Sequence, residues 1–266
     1  MAIIINMINF VCKLKRREMS NNNTMDNTSQ IELFQKYCSL LKKQDFDNAN
    51  TLFNEIDWFR FCKVGYHNVL KAVPVITEDL LLSIFCSRDS RGLWDFYIDN
   101  FILKVSIRRK MSPKVEAFGW KHVYQMDYPA RDDRFILVSI LSKYSLTDRM
   151  TNEELDYYNQ FPEEFTIYRG TNEEEFESKK FGVSWTPEQK VAEFFAFREE
   201  ELTSERSKRI VLAATVHKAD IVTCLLGRNE YEFIVAPERL LDIHVLLNQR
   251  TNLYDIYVDE VRHIRL

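Results

Sequence analysis

Apolar residues recur at helical spacing through the first half of the chain and alternate along short runs in the second. Phe34, Tyr37, Cys38 and Leu41 share one helical face, with Lys and Gln between them. Further helical segments are expected over about 48–63, 78–86, 90–103 and 133–144. The last of these has Phe135, Leu137, Val138 and Leu141 as its apolar positions. Pro74, Pro113 and Pro129 punctuate the connections.

From Phe165 onward the period shortens. Phe165–Arg169, Phe181–Trp185, Arg209–Val216, Tyr231–Val235, Leu241–Leu247, Leu253–Val258 and Val261–Arg265 read as strands. One helix interrupts them, over about 187–200. Thr186 is placed to cap it, Pro187 to stand first, and Gln189 to complete a capping box. The switch predicts an α+β chain. Residues 1–29 form an extension, 30–155 a mainly helical region, and 156–266 a β-rich domain on which that region packs.

Composition narrows the classes. The chain has 266 residues, 45% of them hydrophobic, enough for a substantial core. No run is long and apolar enough to span a membrane. A net charge of −4 argues against tight nonspecific nucleic-acid binding by bulk electrostatics. Cys12, Cys38, Cys62, Cys86 and Cys224 are scattered, with no CxxC pair and no metal-ligand spacing to the five histidines. They read as free thiols of a cytoplasmic protein without a metal. Residues 2–12 are mostly apolar and the basic run Lys13–Arg17 follows, the reverse of a secretory signal. The segment reads as an extension rather than a membrane-surface anchor. Met19 opens a polar run, Ser20–Ser29, of disordered composition.

Three pieces in the C-terminal half carry candidate chemistry. Arg169 closes an alternating stretch, with Ile167 on its own face and Gly170 behind it. A guanidinium at a strand edge can hold a phosphate through paired hydrogen bonds. Ser184-Trp185-Thr186 ends the next strand directly before a helix N-terminus, a setting that favours negative charge. Glu230-Tyr231-Glu232 opens a strand, and period-two alternation turns both carboxylates to one face. Each piece alone also fits an ordinary surface residue, cap or sheet edge. Glu200 and Glu201 belong to a charged, solvated run.

In that order the pieces resemble the arginine–serine–glutamate class of ADP-ribosyltransferases. The matching residues are Tyr168-Arg169-Gly170, Ser184-Trp185-Thr186 and Glu230-Tyr231-Glu232. Gly182–Pro187 and Ala192–Arg198 look like a bacterial or phage toxin branch. The likeness covers roughly residues 160–240. It implies a split β-sandwich that binds NAD as substrate and needs no metal. It implies that Glu232 meets the cationic transition state at the nicotinamide ribose and that Glu230 orients or deprotonates the acceptor. Arg169 then holds the NAD phosphate or ribose, Gly170 offers backbone bonds to the carboxamide, and Ser184 positions Glu232 with support from Thr186. An aromatic stacks on nicotinamide in this family. Phe195 or Phe194 can do so, or both are core residues of an amphipathic helix. The triplet departs from the usual pattern at Trp185 and Thr186.

The implied activity is mono-ADP-ribosyl transfer to a macromolecule by a toxin, effector or phage-encoded host modifier. The acceptor is a protein arginine or a nucleobase in RNA or DNA. For a nucleic acid, Arg108-Arg109-Lys110, Lys114 and Trp120 offer positive charge and an aromatic platform, or an ordinary solvated cluster. Alternatives are NAD glycohydrolysis with water as acceptor, and a catalytically silent interaction module on the same fold. The helical region selects substrate, shields the cleft, or docks an antitoxin or regulatory protein.

Overall fold

A computed structural model describes residues 27–57, 66–67, 69–88, 90–127, 131–198, 208–227 and 230–264. The N-terminal apolar and basic runs, Cys62, Glu200 and Glu201 lie outside the described residues. The described residues fall into two compact units that divide between Asp127 and Arg131. The first is helical and the second mixes helices with antiparallel strands, so the chain is α+β.

The first unit contains α1 (Asn27–Lys42), α2 (Phe46–Phe53), α3 (Glu78–Cys86), α4 (Leu93–Tyr97), a π-helical turn (Ile98–Ile102), α5 (Val105–Arg108) and α6 (Pro113–Asp127). Helix α1 starts inside the expected extension, because Asn27–Ser29 are already helical. Helix α3 begins where Thr77 accepts the Leu80 N–H at 3.3 Å, and it buries Leu80, Leu81, Ile84 and Phe85. The helix expected from residue 90 starts later. Gly92 has φ 76°, and the Asp127 carboxylate takes the N–H groups of Gly92 and Trp94 at 2.9 and 2.7 Å.

Helix α6 was not expected, since Pro113 reads as a connector. In fact Pro113 stands first in the helix, and Ser112 Oγ accepts the Val115 N–H. Gly119 leaves room for the Tyr97 ring to lie on the helix, and the Tyr97 hydroxyl donates to the Glu116 carbonyl at 3.0 Å. Trp94, Tyr97, Phe101 and Trp120 make a buried ring cluster.

The second unit runs α7 (Arg131–Leu141), α8 (Leu146–Arg149), α9 (Asn152–Asn159), β1 (Glu164–Asn172), α10 (Glu173–Ser178), β2 (Ser184–Trp185), α11 (Gln189–Phe197), β3 (Arg209–His217), β4 (Ile221–Leu225), β5 (Glu232–Val235), β6 (Leu241–Leu247) and α12 (Asn252–Ile264). Two three-stranded antiparallel sheets form, in the orders β1-β3-β6 and β2-β5-β4. Among the described residues a single bridge, Tyr168 to Thr186, joins them. Alternation in β3 explains the layering. Ile210, Leu212, Ala214 and Val216 enter a core shared with Trp185, Cys224, Phe233 and Val235 of the other sheet. Val211 faces the opposite way, onto Ala192, Ala196 and Phe197 of α11 and Tyr254 of α12.

Three local expectations are corrected. Leu253–Val258 and Val261–Arg265 form one helix, α12, rather than two strands. Tyr254 and Tyr257, three apart, are both buried and pack on Phe194, whereas Ile256 is exposed, which is a helical rather than an alternating pattern. Of Phe181–Trp185 only Ser184 and Trp185 are strand, because the Gly182 N–H goes to the Glu175 carboxylate at 2.8 Å. Helix α11 starts at Gln189 behind Glu188, with no side-chain cap. Thr186 Oγ1 accepts the Glu188 N–H at 3.1 Å and Gln189 reaches forward to Glu193 at 3.0 Å, so the capping box does not form. Strand β4 went unrecognised. All of Ile221–Leu225 is buried, and a strand buried on both faces carries no alternation.

Among the described residues no helix is long and apolar enough to cross a membrane, and no group of three or more His, Cys, Asp or Glu is placed to hold a metal.

Candidate functional site

The three sequence pieces lie on neighbouring strands. Arg169 is on β1. Its Nη1 donates to the Ser184 carbonyl at 2.7 Å, which ties β1 to the start of β2. One residue earlier, the Tyr168 N–H donates to the Thr186 carbonyl at 2.7 Å, and the Tyr168 carbonyl accepts the Thr186 N–H at 2.8 Å. Strand β2 then pairs with β5, Ser184 opposite Ile234 and Trp185 opposite Phe233. Trp185 and Phe233 face the core, so Ser184 shares the other face with Ile234 and with Glu232 two residues before it. Continuing that register sets Thr186 opposite Glu232. Ser184 and Glu232 are diagonal neighbours, about 7–8 Å apart by sheet geometry.

Arg169 is held firmly. Its Nε and Nη2 reach the two oxygens of Glu175 at 2.8 and 3.2 Å, and the guanidinium lies against Gly182, where a Cβ would collide with it. Glu175 also accepts from Thr171 Oγ1 at 2.7 Å and from the Gly182 N–H. Burial works against this carboxylate, but the Arg169 charge and the bonds from Arg169, Thr171 and Gly182 outweigh it. They hold its pKa below the usual glutamate value. The sequence reading missed Glu175. Its signal was the Asn172-x-x-Glu175 start of α10, where Asn172 Oδ1 accepts the Glu175 N–H at 2.9 Å.

Gly170 serves packing in this structure. A Cβ there would strike the backbone of α11 at the Ala192 oxygen and the Ala196 nitrogen, so its absence lets helix and strand touch. Phe194 packs on Tyr254 and Tyr257 of α12. Phe195 is half-buried, with the Arg198 guanidinium 4.4 Å from its ring centre. Glu193 is fully buried and accepts the Thr251 N–H at 3.0 Å and its hydroxyl at 2.8 Å, which ties α11 to the start of α12.

The glutamate pair departs from the expected geometry. Strand β5 begins at Glu232, and Tyr231 before it has φ 46°. A left-handed residue between them breaks the alternation, so Glu230 lies ahead of the strand and the two carboxylates do not share a strand face. The Tyr231 ring lies 5.5 Å from that of Tyr157 on α9, a residue outside every piece singled out from the sequence. The sign of its helix was the capping box Thr151-x-x-Glu154, which forms in full.

The basic stretch lacks the expected aromatic platform, although Arg109 and Lys114 are exposed. Arg108 forms a two-pronged bond with Glu116 at 2.9 and 2.7 Å. Lys110 Nζ is spent on the carbonyls of Leu70, Lys71 and Val73 at 2.8–2.9 Å. Trp120 is buried. An open cavity of about 660 Å³ lined by Phe135, Lys179, Lys180, Phe181, Pro237, Glu238 and Ile243 contains none of the candidate residues.

No protein-family model matches this chain, and no curated protein or solved structure is significantly similar to it.

Proposed function

We propose that this chain is a mono-ADP-ribosyltransferase of the arginine–serine–glutamate class, with a split β-sandwich as its catalytic fold and NAD as substrate. The observation that carries the reading is convergence. Arg169, Ser184 and Glu232, far apart in sequence, sit on β1, β2 and β5, joined by one side-chain bond and by strand pairing. Two small antiparallel sheets around a shared core, linked at the Tyr168–Thr186 bridge, also suit a split sandwich.

In this reading the bond between the anomeric carbon and nicotinamide breaks, and nicotinamide leaves with the electron pair. The acceptor nucleophile attacks that carbon and loses its proton to Glu230 or to solvent. Glu232 stabilises the cationic ribose between the two events. Ser184, on the same face, holds Glu232. Arg169 has five N–H donors, three of them used on Glu175 and Ser184, so two remain for an NAD phosphate. The position of Glu230 ahead of the strand suits contact with an acceptor rather than with NAD.

The test uses NAD labelled on its adenylate half, incubated with the protein and cell lysate, with nuclease and protease treatments in parallel. Label that is lost on nuclease treatment marks RNA or DNA as acceptor, and label lost only on protease treatment marks a protein. Glu232→Gln is expected to lower nicotinamide release about 100- to 1000-fold. Absence of both label and nicotinamide release with the wild-type protein overturns the reading.

A further inference from the structure

We propose that Tyr157 and Tyr231 act as a ring pair that sets the position of the Glu230–Glu232 segment, which makes Tyr157 a positioning residue for Glu232. The inference rests on the enzymatic reading above and deepens it.

The starting point is a conformational outlier. Tyr231 has φ 46°, in the left-handed region that favours glycine and is strained for a bulky aromatic. Glycine or asparagine would adopt it more readily, so something must hold a tyrosine there. The neighbours of its ring supply the hold. It lies 5.5 Å from the Tyr157 ring at an interplanar angle of 33°, and Tyr157 lies 5.1 Å from Phe161 and 6.0 Å from Phe233. Phe233 directly follows Glu232 and enters the core between the sheets. The residues on either side of Glu232 are therefore both fixed against one ring.

That ring stands on a firm base. Helix α9 opens with a complete capping box, Thr151 Oγ1 taking the Glu154 N–H at 3.2 Å and Glu154 Oε2 taking the Thr151 N–H at 2.8 Å. The next residue, Tyr158, donates its hydroxyl to the Lys218 carbonyl at 3.1 Å. The Tyr157 hydroxyl is different. It is buried and makes no hydrogen bond among the described residues. Its contribution therefore comes from the ring, and phenylalanine would serve as well.

The consequence is geometric. A left-handed residue held between the glutamates puts Glu232 on β5, beside Ser184, and leaves Glu230 ahead of the strand, where its N–H approaches the Gly227 carbonyl at 3.4 Å. Releasing the ring frees the segment to straighten, which moves both carboxylates without changing either. Strain of this kind gathers where a site needs an otherwise unfavoured geometry.

The experiment measures nicotinamide release from NAD, together with melting temperature, for Tyr231→Phe, Tyr231→Gly, Tyr157→Phe and Tyr157→Leu. The two phenylalanine variants are expected to keep wild-type kcat. Tyr231→Gly adopts positive φ freely, so its melting temperature holds or rises, yet kcat falls about 100-fold with KM for NAD little changed. Wild-type kcat in folded Tyr231→Gly overturns the proposal. If wild-type protein releases no nicotinamide, the enzymatic reading fails, and amide hydrogen exchange judges the ring pair by itself. Tyr157→Leu is then expected to speed exchange over residues 230–233 about tenfold, and Tyr157→Phe to leave it alone. Unchanged exchange in Tyr157→Leu overturns the pair.

Discussion

Arg169 and Glu175 form a two-pronged ion pair, Nε to Oε1 at 2.8 Å and Nη2 to Oε2 at 3.2 Å, with both side chains about five-sixths buried. The same carboxylate holds Thr171 and the Gly182 N–H. Its removal strands a buried guanidinium, a hydroxyl and an amide together. Glu175→Ala is therefore expected to cost about 3 kcal/mol in urea denaturation. The pair also predicts a pH effect. The folded-state pKa of Glu175 lies below its ordinary value of 4.5, so its stabilisation is present above that value. It is lost as pH falls through the lower, folded-state pKa. Denaturation at descending pH should show this loss in the wild type and a flatter profile in Glu175→Gln.

Gly170→Ala tests the contact between β1 and α11. The added Cβ meets the helix backbone at Ala192 and Ala196, which cannot rotate away as a side chain can. Overpacking of this kind costs about 1–3 kcal/mol, read as a lower melting temperature. Gly92 offers a contrast. A Cβ there meets nothing within 4 Å, so any cost of Gly92→Ala comes from its φ of 76° alone.

His122 predicts a second pH window. Its ring stacks on Phe85 at 5.3 Å and on Phe118 at 5.9 Å, and burial pushes its pKa down from 6.5 to about 4. The unfolded chain takes up a proton below pH 6.5, whereas the folded protein does so only near 4. Stability is thus complete above 6.5 and falls as pH drops toward 4. Part of the residue's surface meets solvent, so the loss is at most about 3 kcal/mol. Denaturant titrations of wild type and His122→Leu between those pH values should diverge, with the variant flatter.

Tyr157→Phe is expected to raise stability by about 1 kcal/mol, because it removes a buried hydroxyl that makes no hydrogen bond among the described residues. The same hydroxyl has a raised pKa, from burial first and then from the negative charge of Glu188, so it stays protonated across the neutral range. A loss of stability in this variant would mean that the hydroxyl has a partner in solution.

The sequence by itself determined the helix-to-strand switch and the placement of β1, β3, β5 and β6, because alternation and helical spacing are local properties of a chain that buries one face. It also marked Arg169, Ser184 and Glu232, and strand pairing brought these together. Elements without a local contrast stayed hidden. Strand β4 is buried throughout, and α12 has a tyrosine pair whose partner ring, Phe194, lies on another helix. Only the tertiary structure decided that Glu175 pairs with Arg169, that Gly170 receives a helix, and that Tyr231 turns left-handed against Tyr157. The physical reason is common to all three. Burial, pairing and strain are set by what packs beside a residue, and those neighbours are distant along the chain or depend on backbone angles that alternation cannot report.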